Sequence, residues 1–450
     1  MRITEGGSMT LSERALSFAI RAHAGQMRKS EKDKPYVIHP IIVGLLLKKY
    51  GFDDNVIAAG YLHDVVEETD YTIDDIARLF GGDVASLVMT ATEVDSSLSW
   101  KERKTQQIKA TANMPERNAA IICADKIANV EDLRMERRKN GGINFSNFHA
   151  DESEQRWFFE SMYKELNKII DNPIVDRLYN SIIDVFDREY DPEFDYSDEF
   201  LRMNRISGYQ EDLMKLKTII GDTKPYIIEF AGTPKSGKTS MMTLFKDFFE
   251  NAEFKVRVID EQRAYKRYQE EFIRNKASIS TVEKNLLISS AIQEDLMQDI
   301  VGNKDVILVE NSIFDTLTFI KILLDRGCIN EEEFNAYCSM YMEDLKSLIN
   351  HVVICYTSPE MVRERIINSS ISYGDMLKTE RLSTVYEPLE YNEAMKNFES
   401  LITSASVVDT TKLSVKESSL VVAEKLLPVM RKEYVLKLKK YLDEKSKMDL

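Results

Sequence analysis

The stretch from residue 225 to residue 249 constrains the fold of this chain more than any other. The apolar run Pro225–Ala231 predicts a buried strand, and Ser240–Phe249 reads as a helix. Between them lies Gly232-Thr-Pro-Lys-Ser-Gly-Lys-Thr239, which is the complete phosphate-loop pattern. Its glycines let backbone N–H groups converge on phosphate oxygens at the positive end of a helix. The order of strand, loop and helix therefore predicts a nucleotide-binding domain.

Further predicted strands alternate with helical segments beyond this loop. They are residues 254–259, 305–309, 351–356 and 406–409. Alternation of this kind predicts a mostly parallel sheet that is covered by helices on both faces, with ligands at the carboxyl ends of the strands. Asp260, Glu261 and Glu310 stand directly after two of these strands, where they are placed to act on a bound nucleotide.

The chemistry of the loop assigns roles to its residues. Lys238 would reach the β and γ phosphates of ATP or GTP, and the Thr239 hydroxyl would join the coordination shell of Mg²⁺. The predicted nucleotide-binding residues of the loop and its helix start are Gly232, Lys235, Ser236, Gly237, Lys238, Thr239 and Ser240.

A second group of chemistry-bearing residues lies near the N-terminus. His39, the pair His63-Asp64 and Asp125 supply two imidazoles and two carboxylates. These four groups suit a divalent metal that keeps open positions for water and phosphate. A metal site of this kind indicates hydrolysis.

The surroundings of these residues predict helices. Residues 58–69 are apolar before His63-Asp64 and acidic after it, so one helix would carry two ligands together with the acids Glu67 and Glu68. The other two ligands also lie in helical contexts: His39 precedes a proline and an apolar run, and Asp125 interrupts a second apolar run. A buried aspartate without a partner is costly, and metal ligation would remove that cost.

Several motifs within residues 11–190 resemble the hydrolase domain of the RelA/SpoT alarmone enzymes, an all-α member of the HD phosphohydrolase superfamily. The resemblance implies manganese-dependent removal of the 3′-pyrophosphate from guanosine tetra- or pentaphosphate, which gives GDP or GTP. The motifs that carry it occur in the family's order: His23-Ala-Gly-Gln-Met-Arg-Lys-Ser30, Pro35-Tyr36, His39-Pro40, the run around His63-Asp64, Phe80-Gly-Gly-Asp-Val-Ala85 and Ala124-Asp-Lys126.

The resemblance also implies site residues by position. Mn²⁺ would be held by His39, His63, Asp64 and Asp125, and Glu67 and Glu68 would orient or deprotonate the attacking water. On the substrate side, Arg28 would pack on the base, Asn129 would contact the sugar or phosphate, and Lys29 would also bind substrate.

Some positions depart from the family's pattern. Glu68 stands where the family usually has aspartate, which lengthens the side chain by one methylene. Ala128 replaces a usual histidine, and Asp132 replaces a common threonine near the substrate. A negative charge at position 132 would disfavour a polyphosphate unless it is paired.

The second half, from about residue 224 to 430, resembles the P-loop kinases of the thymidylate kinase and deoxynucleoside kinase group. The resemblance implies that Asp260 or Glu261 acts as base toward an acceptor hydroxyl, that Glu310 helps to hold Mg²⁺, and that Arg363, Arg365 or Arg381 serves as a lid cation. Asn311 departs from this pattern, because it replaces the arginine of the Glu-Arg-Ser motif, and the usual second lid arginine is missing after Arg365. ATP or GTP binding is therefore a firmer expectation than fast phosphoryl transfer.

Composition excludes some classes of function. A formal net charge of −15 argues against nucleic acid as the main partner, which leaves small-molecule nucleotides. The sequence shows neither an apolar segment of membrane-spanning length nor a signal-peptide pattern, so we expect a cytoplasmic protein without a membrane partner. The scattered cysteines Cys123, Cys328, Cys338 and Cys355 are expected to be reduced thiols.

The predicted fold class is a multidomain chain, with an N-terminal all-α HD domain and a C-terminal α/β P-loop domain. The predicted segments are residues 1–190 for the hydrolase-like domain, 191–223 for an acidic linker and connecting helix, 224–430 for the kinase-like domain and 431–450 for a charged helix. The sequence leaves open whether this last helix packs on the second domain or mediates formation of a homo-oligomer.

Two classes of function are compatible with these features. The first is a bifunctional nucleotide enzyme, in which an alarmone-like pyrophosphohydrolase is joined to a nucleoside or nucleotide kinase-like domain. The alternative is a nucleotide-sensing regulatory protein, in which the P-loop domain binds a nucleoside triphosphate without fast turnover and gates the HD domain.

Overall fold

A computed structural model gives the architecture of this chain. It describes residues 9–28, 34–91, 98–140, 143, 145, 150–186, 198–233, 235–261, 264, 281–365, 388–402 and 404–447. The chain forms two compact units: residues 1–208 together with 434–450, and residues 209–433. The predicted linker residues 191–197 lie outside the described residues.

The first unit is built from helices. They are α1 (Leu11–Ala22), α2 (Ile38–Lys49), α3 (Asp54–Leu62), α4 (Val65–Glu68), α5 (Ile73–Phe80), α6 (Gly82–Ala91), α7 (Trp100–Thr111), α8 (Glu116–Asn140), α9 (Glu152–Ile169) and α10 (Ile174–Phe186). Local sequence sets several of their starts. Thr10, Thr72, Ser99 and Asp151 each form a capping box with an acidic residue three positions later.

Helices α2 and α3 cross at two glycines. A Cβ built on Gly44 would lie 2.2 Å from the Tyr61 ring, and one built on Gly60 would lie 2.5 Å from Leu47 Cδ1. The Cβ built on Gly60 would also lie 3.3 Å from Gly44 Cα, so the two backbones approach closely at these glycines. This crossing brings His39, near the start of α2, beside His63, which directly follows α3.

The predicted single helix over residues 58–69 is wrong in one respect. Helix α3 ends at Leu62, and the four-residue helix α4 starts at Val65, so His63 and Asp64 occupy a turn between two helices. The His63 ring contacts the carbonyl oxygen of Gly60 through Nδ1 at 2.9 Å, within the last turn of α3. The helical context predicted for His39 and Asp125 is confirmed by α2 and α8.

The second unit contains a five-stranded sheet in the order β2-β3-β1-β4-β5, in which all neighbouring strands are parallel. The strands are β1 (Tyr226–Gly232), β2 (Val256–Ile259), β3 (Val306–Glu310), β4 (His351–Tyr356) and β5 (Ala405–Asp409). The predicted parallel sheet and its strands are therefore confirmed.

Helices of the second unit cover both faces of this sheet. They are the end of α11 (Asp198–Ile220), α12 (Lys238–Asn251), α13 (Thr281–Ile300), α14 (Ile313–Asp325), α15 (Glu331–Leu348), α16 (Pro388–Glu399) and the first part of α17 (Val415–Ser446). On one face Phe245 of α12 packs against Phe230, with ring centroids 5.8 Å apart. On the other face the residues of α13 and of α14 to α16 form two apolar clusters.

None of the described helices combines the length with the apolarity that a bilayer crossing demands. The four cysteines form no disulfide, in agreement with their prediction as thiols.

Candidate metal centre and phosphate-binding loop

The four predicted metal ligands converge in the first unit. One donor atom each of His39, His63 and Asp125 lies within 4.8 Å of the other two. His39 Nε2 is 3.1 Å from Asp125 Oδ1, and His63 Nε2 is 3.8 Å from the same oxygen. Asp64 lies beside both rings, because its carboxylate oxygens are 3.1 Å from His63 Nε2 and 3.7 Å from His39 Nε2.

The environment of His63 fits a metal ligand. Because its Nδ1 faces the carbonyl oxygen of Gly60, this nitrogen carries the proton and donates. Nε2 then holds the lone pair, and it is buried without a hydrogen-bond partner among the described residues. A buried nitrogen lone pair facing two carboxylates is the arrangement that a cation would satisfy.

Asp125 is held as a carboxylate by its neighbours. Its Oδ2 accepts from Lys126 Nζ at 2.6 Å, and its Oδ1 accepts from Asn129 Nδ2 at 2.7 Å. Burial acts to raise the pKa of Asp125, but the Lys126 ammonium and the imidazoles outweigh it and hold the pKa well below its usual range. Asn129, predicted to bind substrate, thus contacts a predicted metal ligand.

Asp64 has its own orienting partner. Tyr36 donates its hydroxyl to Asp64 Oδ2 at 2.8 Å. Burial acts to raise the pKa of Asp64, yet His63, His39 and this hydrogen bond lower it overall. Both candidate aspartates are therefore ionised at neutral pH, as metal ligation requires.

The predicted acids Glu67 and Glu68 lie in helix α4, directly after the metal-binding turn, and both are exposed. The carbonyl of Glu68 accepts from Gln26 Nε2 at 2.7 Å, which ties α4 to the loop that follows α1. Their side chains are accessible to solvent, which is compatible with a role in proton transfer to water.

Arg28 makes an ion pair with Asp132 on helix α8. A negative charge at position 132 was expected to disfavour a polyphosphate unless a cation paired with it. Arg28 provides that pairing. Lys29 lies outside the described residues.

The phosphate loop follows β1 as predicted. A Cβ on Gly232 would lie 2.1 Å from the carbonyl oxygen of Cys355, and its φ of 139° is one that other residues rarely adopt. Gly237 has a φ of 97° and caps the start of α12. Lys238 is buried and donates from Nζ to the carbonyl oxygens of Gly232 at 2.8 Å and Thr233 at 3.3 Å.

Other predicted nucleotide-binding residues surround the start of α12. Thr239 donates its hydroxyl to Glu310, 3.0 Å from each carboxylate oxygen, so the two predicted Mg²⁺-shell residues are in contact. Ser236 is buried next to them in the loop, whereas Lys235 and Ser240 are exposed.

The two predicted base residues differ in environment. Glu261 accepts from Asn311 Nδ2 at 2.8 Å. Burial, followed by the nearby Glu310 carboxylate, raises the pKa of Glu261 above its usual value. Asp260 lines a cavity of about 380 Å³ between α12 and β2, together with Thr239.

Arg365, predicted as a nucleotide-binding lid cation, contacts the loop itself. It donates to the carbonyl oxygen of Lys235 at 2.9 Å and to the carbonyl oxygen of Thr410 at 2.6 Å. Arg363 lies two residues earlier in the helical segment 359–365, and Arg381 lies outside the described residues.

A buried network beneath the phosphate loop was not predicted. Asp315 accepts from the Gly232 backbone N–H at 3.2 Å and from the Tyr391 hydroxyl. Asn392, the neighbour of Tyr391, is in hydrogen-bond contact with the Thr233 hydroxyl at 2.5 Å. One sequence signal was available, namely an acidic residue inside the apolar stretch of α14.

Comparison with known proteins finds one family match in each unit. The HD domain family matches residues 15–141, and the deoxynucleoside kinase family matches residues 228–427. Guanosine-3′,5′-bis(diphosphate) 3′-pyrophosphohydrolase MESH1 of Drosophila melanogaster is 41% identical over 122 residues, which cover 27% of this chain and 68% of that protein.

Two further similarities concern shorter or more distant relationships. A probable guanosine-3′,5′-bis(diphosphate) 3′-pyrophosphohydrolase of Synechocystis is 51% identical over 81 residues, or 18% of this chain and 10% of that protein. The solved structure of deoxyadenosine kinase from M. mycoides with bound dATP is 19% identical, covers 45% of this chain and 98% of its own, and has a TM-score of 0.33.

The helical unit with its histidine and aspartate cluster is therefore an HD domain, and the α/β unit is a deoxynucleoside kinase domain. The chain belongs to the family of guanosine-3′,5′-bis(diphosphate) 3′-pyrophosphohydrolases. Both predicted resemblances and the predicted fold class are confirmed, and HD membership implies a divalent metal.

Proposed function

We propose that the HD domain is a manganese-dependent 3′-pyrophosphohydrolase of guanosine tetra- and pentaphosphate. The observation that carries the proposal is the buried Nε2 of His63, which has no hydrogen-bond partner in the described part of the chain and lies beside His39, Asp64 and Asp125. The 41% identity to a pyrophosphohydrolase of that specificity supports the choice of substrate.

The four ligands suit Mn²⁺, because imidazole and carboxylate are the donor types that this ion accepts. A divalent cation held there lowers the pKa of bound water and so supplies a nucleophile at neutral pH. Other residues of this domain transfer the proton and position the nucleotide. Glu67 or Glu68 takes the proton of the attacking water, and Arg28, Lys29 and Asn129 position the nucleotide.

We propose that the kinase domain binds ATP or GTP with Mg²⁺ and transfers a phosphoryl group to a nucleoside or nucleotide. The contact between Thr239 and Glu310 places two oxygen donors side by side at the loop, as a Mg²⁺ shell requires. Lys238 donates from Nζ to a carbonyl oxygen of the loop itself, and it would turn from there to the phosphates of a bound nucleotide. Glu261 or Asp260 serves as the base, and burial with the nearby Glu310 raises the pKa of Glu261, which makes it a stronger proton acceptor.

Product analysis tests the hydrolase. Purified protein is incubated with guanosine tetraphosphate, guanosine pentaphosphate and their adenosine counterparts, with Mn²⁺ or Mg²⁺, and the products are resolved by chromatography. We expect pyrophosphate and GDP or GTP in the presence of Mn²⁺, and a loss of at least about a hundredfold in His63→Ala.

A matched control keeps this result specific. Asp184→Asn removes an ion pair with Arg134 in the same unit but outside the metal cluster, and it should retain hydrolysis. Unimpaired pyrophosphate release by His63→Ala would refute the proposal.

The kinase domain is tested by ATP binding and by phosphoryl transfer to a panel of nucleosides and nucleoside monophosphates. Lys238→Ala should weaken ATP binding, and Glu261→Gln should slow transfer while ATP still binds. ATP binding without any phosphorylated product across the panel would favour the sensing alternative instead.

A further inference from the structure

The ion pair between Arg28 and Asp132 lies at the edge of the metal cluster. Asp132 follows Asn129 by about one helical turn and Asp125 by two turns, so all three lie on one face of α8. Arg28 belongs to the loop after α1, where its backbone N–H donates to the carbonyl oxygen of Lys34 at 3.0 Å and Met27 pairs with Pro35. The ion pair therefore joins α8 to a loop that is anchored at its base.

Several contacts hold the Arg28 guanidinium in one orientation. Its Nη2 contacts Asp132 Oδ2 and lies 3.4 Å from His39 Nδ1. Its central carbon is 5.7 Å from the centroid of the Tyr36 ring, whose hydroxyl binds Asp64. The side chains of Arg28 and Asp132 are 17% and 28% exposed, so the pair is partly shielded but open to a ligand.

Pairing changes what Arg28 offers to a ligand. An unpaired guanidinium would attract any phosphate, because it forms strong bidentate bonds with anions. The ion pair with Asp132 carries no net charge, and a phosphate would have to compete with a carboxylate that is already bound. The planar face of the guanidinium keeps its capacity to stack on an aromatic ring system.

We infer that Asp132 is a specificity-determining residue: its carboxylate occupies the hydrogen-bonding edge of Arg28, so that the guanidinium serves as a stacking surface and not as a phosphate-binding cation. This end of the pocket then selects the nucleobase and rejects phosphate, including the inorganic pyrophosphate that the reaction releases. The inference rests on the proposed hydrolase function and adds to it a reason for discrimination between a nucleotide substrate and a bare polyphosphate.

The test uses the full chain and compares wild type with Asp132→Asn and Asp132→Ala. Hydrolysis is measured with guanosine tetraphosphate at constant free Mn²⁺, with increasing inorganic pyrophosphate as inhibitor. We expect the inhibition constant of pyrophosphate to fall roughly tenfold in both variants, because the released Arg28 charge binds phosphate. We expect KM for the nucleotide to rise while kcat changes less, since Arg28 loses its fixed orientation.

Two further variants sharpen the result. Arg28→Lys keeps a cation that can pair with Asp132 but removes the planar face, so it should raise KM and leave inhibition by pyrophosphate unchanged. Asp184→Asn removes a comparable ion pair of the same unit, outside the site, and should change neither quantity. If pyrophosphate inhibits Asp132→Asn and wild type equally, Asp132 has no role in selectivity and the inference fails.

Direct binding separates this inference from the proposed function. Calorimetric titration of pyrophosphate into the Mn²⁺-loaded wild type and into Asp132→Asn requires no turnover, and the P-loop is identical in both proteins. Absent hydrolysis with tighter pyrophosphate binding in the variant would refute the proposed function and support the role of Asp132. Equal affinities would overturn the inference whether or not the enzyme turns over.

Discussion

Three of the four candidate metal ligands are oriented by a hydrogen bond with a residue that does not itself ligate. The carbonyl of Gly60 sets the His63 ring, the Tyr36 hydroxyl sets Asp64, and Asn129 and Lys126 set Asp125. Such partners fix tautomer and direction, and their loss commonly weakens metal binding by one to two orders of magnitude. The candidate metal site therefore includes the residues that orient its ligands as well as the ligands themselves.

Asn129 offers a direct test of this supporting shell. Asn129→Ala removes the 2.7 Å hydrogen bond to Asp125, so Mn²⁺ affinity should fall about 10- to 100-fold by calorimetry. Asn118→Ala removes an amide from the same helix that donates to Thr90 instead, and it should leave Mn²⁺ affinity unchanged. A raised KM with unaltered Mn²⁺ affinity would show that Asn129 binds substrate, as first predicted.

Of the two described glycines in the phosphate loop, Gly232 is the one where an added Cβ would meet backbone atoms. Gly232→Ala would force a Cβ to within 2.1 Å of the Cys355 carbonyl oxygen at the pairing of β1 with β4. The conflict involves backbone and cannot be relieved by a rotamer change, so we expect a loss of more than about 3 kcal/mol in the stability of the second unit. Urea unfolding followed by hydrogen exchange of the β1 peptide measures it, and a loss below about 1 kcal/mol would contradict the close packing.

At the scale of elements, a buried carboxyl of the sheet caps a helix. Glu229 in the middle of β1 accepts from the Phe314 backbone N–H at 2.9 Å, at the start of α14. The side chain of Ser312, which precedes this helix, makes no capping bond. Burial, together with the neighbouring Asp315, raises the pKa of Glu229 to about 8, and burial raises that of Asp315 to about 6.

These raised pKa values predict that the second unit loses stability as pH rises. The folded state holds the Glu229 proton up to about pH 8, whereas an unfolded chain releases it near pH 4.5. The free energy of unfolding is then greatest below the unfolded value and falls through this window by up to about 1.4 kcal/mol per pH unit. Hydrogen exchange of the β1 peptide between pH 5 and pH 8, corrected for intrinsic exchange, measures the slope.

A neutral isostere should flatten that slope. Glu229→Gln keeps an oxygen that accepts from Phe314 but cannot ionise, so its stability should vary less with pH than that of wild type. Glu399→Gln removes a partly exposed carboxylate of the same unit and serves as the control. Equal slopes for wild type and Glu229→Gln would show that folding does not raise the pKa of Glu229.

At the scale of the whole molecule, two compact units carry two separate sets of ligand-binding residues. The two tryptophans, Trp100 and Trp157, both belong to the unit that holds the metal cluster. Tryptophan fluorescence therefore reports the unfolding of that unit. This separation lets metal binding be detected without an activity assay.

Mn²⁺ should raise the midpoint of thermal unfolding that is seen by tryptophan fluorescence. A ligand at a hundred times its Kd stabilises the native state by about 2.7 kcal/mol, which corresponds to several degrees for a unit of this size. His63→Ala should lose this shift, and Asp184→Asn should keep it. An identical shift in His63→Ala would place the bound Mn²⁺ elsewhere.

Sequence patterns located the strands, the phosphate loop and the helical segments that carry His39 and Asp125, because each of these depends on local order. The strand β1 leads into the glycine-rich loop and then α12, and this order alone predicts the nucleotide site. The break between α3 and α4 was missed because helical periodicity continues through His63-Asp64. The contacts of Arg28 and Arg365 could not be predicted from residue spacing, because their partners lie far away in the sequence.

The sequence by itself determined the two classes of fold and the chemical types available at each site, since periodicity and motif spacing are properties of neighbouring residues. Only the tertiary structure decided which charges are paired, which buried nitrogen lacks a hydrogen-bond partner among the described residues, and which buried acid keeps its proton. Those outcomes depend on distances between residues far apart in the chain, such as Arg28 and Asp132 or Glu229 and Phe314. Electrostatic energy depends on such distances and on burial, and neither is set until the chain has folded.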